Sequence, residues 1–113
     1  MIELSQVLHE NVNELTPKVK SLDASNVPVF KDLLRERVKD RPSLLLNLEH
    51  VEFLDSSGLG ALIWLLREIE AQAGKVKLCN LQKPVLMLLE VVRMHRVFDI
   101  YSTPQEAMKS WAK

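Results

Sequence analysis

The chain has 113 residues, the size of one ordinary domain, with 47% hydrophobic and 27% charged residues, the balance of a soluble globular protein. Fifteen Lys and Arg cancel fifteen Asp and Glu, which argues against nucleic-acid binding or membrane-surface attachment through bulk charge. The single cysteine, Cys79, leaves no internal disulfide and no cysteine-based zinc site. No run approaches the roughly 18 apolar residues of a membrane span, and the opening residues lack the basic start and long apolar core of a signal peptide. The expectation is a cytoplasmic protein without membrane insertion, with residues 1–113 as a single domain.

Residues 1–17 are poorly defined in the sequence: Ile2, Leu4, Val7, Leu8 and Val12 follow no clean period, and Pro17 interrupts. Lys18 to Leu22 alternates polar and apolar, as a half-buried strand does. Asp23 and Ser25 are N-cap types before a helix expected to reach about Lys39, with Val27, Phe30, Leu33, Leu34 and Val38 as its apolar stripe. Pro28 suits the first turn of that helix, and Arg41-Pro42 ends it. Residues 44–48 are apolar at nearly every position, the pattern of a strand covered on both faces. Val51, Phe53 and Leu54 lead into the turn Asp55-Ser56-Ser57-Gly58, and a helix is expected from about Gly58 to Ala73, stopped by Gly74 at the C′ position. Val76 to Leu81 reads as a strand, Pro84 to about Met94 as a helix, and Val97 to Tyr101 as a last short strand. Thr103-Pro104-Gln105-Glu106 has the form of a capping box opening a C-terminal helix. Alternating strands and helices give an α/β fold with at least part of the sheet parallel.

The segment with most chemistry is residues 44–66, where a buried strand delivers small hydroxyl residues to the start of a helix. Unpaired N–H groups and the positive dipole end make such a start welcoming to an anion. Asp55, Ser56 or Ser57 is accounted for equally by simple capping. On a helical wheel Leu59, Leu62, Ile63, Leu66, Ile69 and Ala73 form the core stripe. Gly60, Ala61, Trp64, Arg67, Glu68 and Ala71 fall opposite, so Trp64 is either a binding anchor amid small residues or a ring lying flat on its own domain.

Val51-Glu52-Phe53-Leu54-Asp55-Ser56-Ser57-Gly58-Leu59-Gly60-Ala61-Leu62 resembles the central motif of the STAS domains, the sulfate-transporter and anti-sigma-factor-antagonist family. Leu22 to Asn26 is similar to the start of that family's first helix, and Ser102 to Ala107 to the start of its last, so the likeness spans about residues 18–112. The resemblance implies the STAS fold, a small mixed or parallel sheet of four to five strands with about four helices. It also implies an anti-sigma factor antagonist that works by partner switching, without catalysis and without a cofactor. In such proteins the first motif serine, Ser56 here, is phosphorylated by an anti-sigma-type Ser/Thr kinase and restored by a PP2C-type phosphatase. The unmodified form binds the kinase; mapped onto this chain, Asp55 and Ser57 flank the acceptor and Asp23 helps form the docking surface, and Gly58, Gly60 and, from the helical wheel, Trp64 are the further expected contact residues. Two departures stand out: Ser21 replaces the usual glycine before Leu22-Asp23, and the opening strand pair is hard to find in residues 1–17. A constitutive adaptor subunit of a transporter or larger assembly, with Ser56 only a cap or contact, is the alternative from another class.

Other constellations carry less. His9, His50 and His95 have no metal-ligand spacing, Gly58-Leu59-Gly60 lacks the third glycine of a dinucleotide fingerprint, and Ser56 has no G-x-S-x-G context. Val85, Leu88, Leu89 and Val92 are expected to face the core. Met87, Val91 and Met94 lie across from that face, either as an adaptable second contact surface or, as is commoner, under a neighbouring segment. Cys79 is expected in an inert core site, and Lys75 and Lys77 on a solvated strand face.

Overall fold

The computed structural model describes residues 2–39 and 43–112. Its strands are β1 (Leu4–His9), β2 (Val12–Pro17), β3 (Ser21–Leu22), β4 (Ser43–Asn47), β5 (Phe53–Leu54), β6 (Lys75–Cys79) and β7 (Asp99–Tyr101). The helices are α1 (Val27–Val38), α2 (Ser56–Glu70), α3 (Lys83–Val91) and α4 (Pro104–Trp111), with a 3-10 turn at Met94–Arg96. Five strands form the main sheet in the order β1-β2-β4-β6-β7, antiparallel at β1–β2 and parallel elsewhere. β3 and β5 pair in parallel as a separate two-stranded sheet.

The opening strand pair missing from the sequence reading is the β1–β2 hairpin, turning at Glu10-Asn11. β2 is buried at every position despite containing Asn13, Glu14 and Thr16, so its hydropathy carries no strand signal. Much of this polarity is paired: Glu14 receives Asn47 Nδ2 at 3.1 Å and lies 2.8 Å from His9 Nε2, and Asn13 Nδ2 donates to the Arg37 carbonyl, while Asn13 Oδ1 has no partner among the described residues.

The leucine run divides between two cores by strand alternation. Leu44 and Leu46, with Val76 and Leu78, join the main core under α1, α2 and α3, together with Phe30, Leu62, Leu65 and Leu89. Leu45 and Cys79 face the other way, against Ala107 of α4. α2 sits on β6 and beside α1.

Several expected features shift. α1 begins after Asn26 rather than on an Asp23 or Ser25 cap; its expected stop at Arg41-Pro42 lies outside the described residues. α2 starts two residues before Gly58, and the left-handed residue after it is Ala73 (φ 60°), not Gly74. Its core face is Gly58, Ala61, Leu62, Leu65, Leu66 and Ile69. The wheel fails because α2 is covered from two sides, by the sheet and by α1. Leu59 and Ile63 are half-buried and Ala73 exposed. α3 ends at Val91, and Val85 and Leu89 are its buried residues. Met87 and Val91 stay exposed, at 54% and 79%, rather than covered, and Met94 is half-buried against the core. Lys77 is buried rather than solvated, because α4 folds over its face: its ammonium lies 4.5 Å from the Trp111 ring centroid and 5.4 Å from that of Tyr101. Thr103 caps α4 as expected, accepting from the Glu106 N–H at 3.1 Å.

Candidate functional site

The short β5 strand brings the chain to the head of α2, where Asp55 takes the N-cap position in extended backbone. Asp55 Oδ1 accepts from the Gly58 N–H at 2.9 Å, while Oδ2 accepts from the Ala24 N–H at 3.1 Å. One carboxylate therefore caps α2 and ties it to the turn preceding α1. Ser56, the first residue of α2, is exposed, and its hydroxyl has no hydrogen-bond partner among the described residues. The cap is Asp55, which leaves Ser56 without structural duty. The first-turn N–H groups of Ser56 and Ser57 have no carbonyl four residues back within the helix, so positive potential collects beside the free hydroxyl.

Asp23 lies in the neighbouring turn. Its carboxylate accepts from Ser21 Oγ at 2.6 Å, from the Ser25 N–H at 2.9 Å and from the Ser25 hydroxyl. The Ser21 bond first, then the two from Ser25, hold its carboxyl below the usual value of 3.8. The departure from glycine at position 21 thus supplies a donor that anchors Asp23. Asn26 completes the turn, accepting from the Asp23 N–H and donating to the Ser21 carbonyl.

The two motif glycines differ in kind. At Gly58 a Cβ would stand 2.1 Å from the Leu22 carbonyl oxygen, so only glycine lets α2 approach β3 this closely. At Gly60 a Cβ would meet nothing within 4 Å. A solvent-facing glycine inside a helix costs stability and has no packing reason within the chain. It leaves a bare stretch of backbone one turn from Ser56.

Trp64 is not a free surface anchor. It is half-buried against the core, with Arg35 and Lys31 of α1 at 5.1 and 5.5 Å from its ring centroid. The exposed aromatic at this end of the molecule is Phe53, at 56% exposure, which sequence reasoning passed over as part of the approach to the turn. Strand alternation was the available signal: with Leu54 buried, Phe53 must point outward. Asp23, Asp55, Ser56, Ser57 and Gly58 gather where β3, β5 and α2 meet; Gly60 adjoins them, and Trp64 lies two turns along.

The STAS domain model matches residues 10–107. The chain belongs to the STAS domain family. Over 92 residues this STAS protein is 25% identical to the anti-sigma-B factor antagonist of Bacillus subtilis (strain 168), covering 80% of this chain and 84% of that one. The structure of an anti-sigma-factor antagonist (STAS) domain protein from Planctomyces limnophilus matches with TM-score 0.84 and 27% identity, covering 97% and 98% of the two chains. The Bacillus cell fate determinant SpoIIAA in its phosphorylated form shares the fold, with TM-score 0.70 and 20% identity over 97% and 98% of the chains. Among the described residues no helix is long and apolar enough to cross a membrane.

Proposed function

We propose that this STAS protein is a non-enzymatic, phosphorylation-controlled partner switch of the anti-sigma factor antagonist type. The observation that carries the reading is the free hydroxyl of Ser56 at the head of a helix capped by its neighbour Asp55. A phosphate there adds about −1.5 to −2 charges at pH 7 and three acceptor oxygens. Within the protein, the helix start favours that charge and the Asp55 cap can stay in place, so the fold tolerates modification. At an interface shaped around a neutral hydroxyl, the same charge sits beside Asp55 and has to be desolvated, so the complex separates. Asp23, Asp55, Ser57, Gly58, Gly60 and Phe53 form the docking face, with Trp64 at its border under α1. The partner is an anti-sigma-type Ser/Thr kinase that both binds and modifies Ser56, and a PP2C-type phosphatase restores the binding form. The site of action is the cytoplasm.

The test is intact mass and peptide mapping on protein taken from its own cells, beside a Ser56→Ala control. One added phosphate on the peptide containing Ser56, lost in the variant, is expected. No phosphate under any growth condition would overturn the switch and leave Ser56 a plain contact residue of a constitutive adaptor.

A further inference from the structure

Strand β1 forms one edge of the main sheet, and nothing in its sequence guards that edge. Native edge strands are blunted by charge, proline, bulges or shortness. Leu4-Ser5-Gln6-Val7-Leu8-His9 has no Lys, Arg, Asp, Glu, Pro or Gly, runs six residues in continuous register with β2, and leaves Val7 and Leu8 each 51% exposed. The opposite edge, β7, is three residues long and begins at Asp99.

The hairpin fixes which main-chain groups are free. The Lys18 N–H donates to the Glu3 carbonyl at 2.8 Å, and bonded pairs alternate along an antiparallel ladder. Glu3, Ser5, Val7 and His9 therefore turn their main-chain groups toward β2, while Leu4, Gln6 and Leu8 turn theirs to the open edge. We infer that β1 pairs antiparallel with β1 of a second copy of this chain about a two-fold axis at Gln6, joining two five-stranded sheets into one.

Self-complementarity is what selects this occupant. A two-fold at Gln6 places Leu4 opposite Leu8 of the second copy and Gln6 opposite its own counterpart. Each of these free N–H and C=O groups then gains a bonded partner. Leu4, Gln6 and Leu8 share a sheet face with Leu15, since Gln6 registers with Leu15. Exposed Leu8 of each copy thus covers half-buried Leu4 of the other and extends the main core across the axis. On the second face Val7 meets Ser5, and His9 meets Glu3, whose side chain is 72% exposed and lies 3.6 Å from the Lys18 ammonium. The register sets no two like charges opposite each other. The edge contains none of the residues at the head of α2, so pairing leaves Ser56 open and is independent of its modification.

Sedimentation equilibrium of the intact protein, up to about 1 mM, is the test, with Gln6→Lys and Gln6→Glu as variants. Gln6 is exposed, and circular dichroism confirms that each variant is folded. Wild-type protein is expected to approach twice 13.0 kDa. Each variant alone sets like charges directly opposite and is expected to associate several-fold more weakly, up to about fivefold. An equimolar mixture of the two pairs Lys with Glu and is expected to recover the dimer. A wild-type monomer throughout the range overturns the proposal. So does a dimer that neither variant weakens, which places the contact elsewhere, or a mixture that fails to recover, which rules out the axis at Gln6.

Discussion

Two alanine substitutions in one turn of α2, at Gly58 and Gly60, are expected to move stability in opposite directions. A methyl group at residue 58 would stand 2.1 Å from the Leu22 carbonyl oxygen, a rigid main-chain atom. Ordinary contact needs about 3.4 Å or more, so helix and strand must part by roughly 1 Å, an overpacking strain of about 1–3 kcal/mol. The Asp55 cap on the Gly58 N–H would be disturbed too, at about 1 kcal/mol. Ala outranks Gly in a helix by about 1 kcal/mol, which offsets part of this. The net loss is about 2 kcal/mol, a melting temperature lower by roughly 10 °C for a domain this size. Gly60→Ala meets nothing within 4 Å, so the propensity gain stands alone. A rise of about 0.5–1 kcal/mol follows, near 4 °C. Urea denaturation with thermal melts measures both. Gly58→Ala as stable as wild type, or Gly60→Ala clearly less stable, would refute the reasoning. A more stable Gly60→Ala that also binds the partner more weakly would assign the bare backbone to docking.

Asp55→Ala removes both the α2 cap and the tie to Ala24, and a loss of about 2–3 kcal/mol in urea denaturation is expected; a loss under about 0.5 kcal/mol would count against the bridging role. Asp23 should titrate below 3.8 by carboxyl NMR, and Ser21→Ala should raise its value, since the Ser21 hydroxyl is the main cause of the shift. The sign follows: Asp23's contribution to stability is present above its unfolded pKa and lost as pH falls through the lower folded value. Cys79 lies buried beneath α4, and burial, then the charges of Glu14 and Glu49, push its thiol up to about 12. Native protein should therefore resist thiol reagents at pH 8 and react only as it unfolds; fast labelling with unchanged circular dichroism would contradict this.

What was legible in the sequence was whatever hydropathy and turn chemistry mark unambiguously. The leucines of β4, the Thr103 cap and the arrival of a helix at the Asp55-to-Gly58 segment all declared themselves. β2 did not, because Asn13 and Glu14 are buried on the strength of partners far along the chain, Arg37 and Asn47, which no local pattern displays. Lys77 misled for a similar reason: its charge is held by the rings of Tyr101 and Trp111 on other elements. Trp64, left open between a binding anchor and a ring lying flat on its own domain, takes the second position in the structure. A wheel assumes one buried side, whereas α1 covers a second side of α2 and takes the ring with it. At the site, residue types located the motif. Only geometry divided the labour, giving the cap to Asp55, the close approach to Gly58, a free hydroxyl to Ser56 and an exposed ring to Phe53.

The most direct test of the proposed switch is calorimetric titration of the candidate kinase partner against the unmodified and Ser56-phosphorylated forms of this protein, with melts of both. The phosphorylated form is expected to bind at least about 100-fold more weakly, near 3 kcal/mol, while its melting temperature stays within a few degrees. Equal affinity of the two forms would contradict the proposed function, and weaker binding that comes with a collapsed melting temperature would show that the phosphate acts on the fold instead.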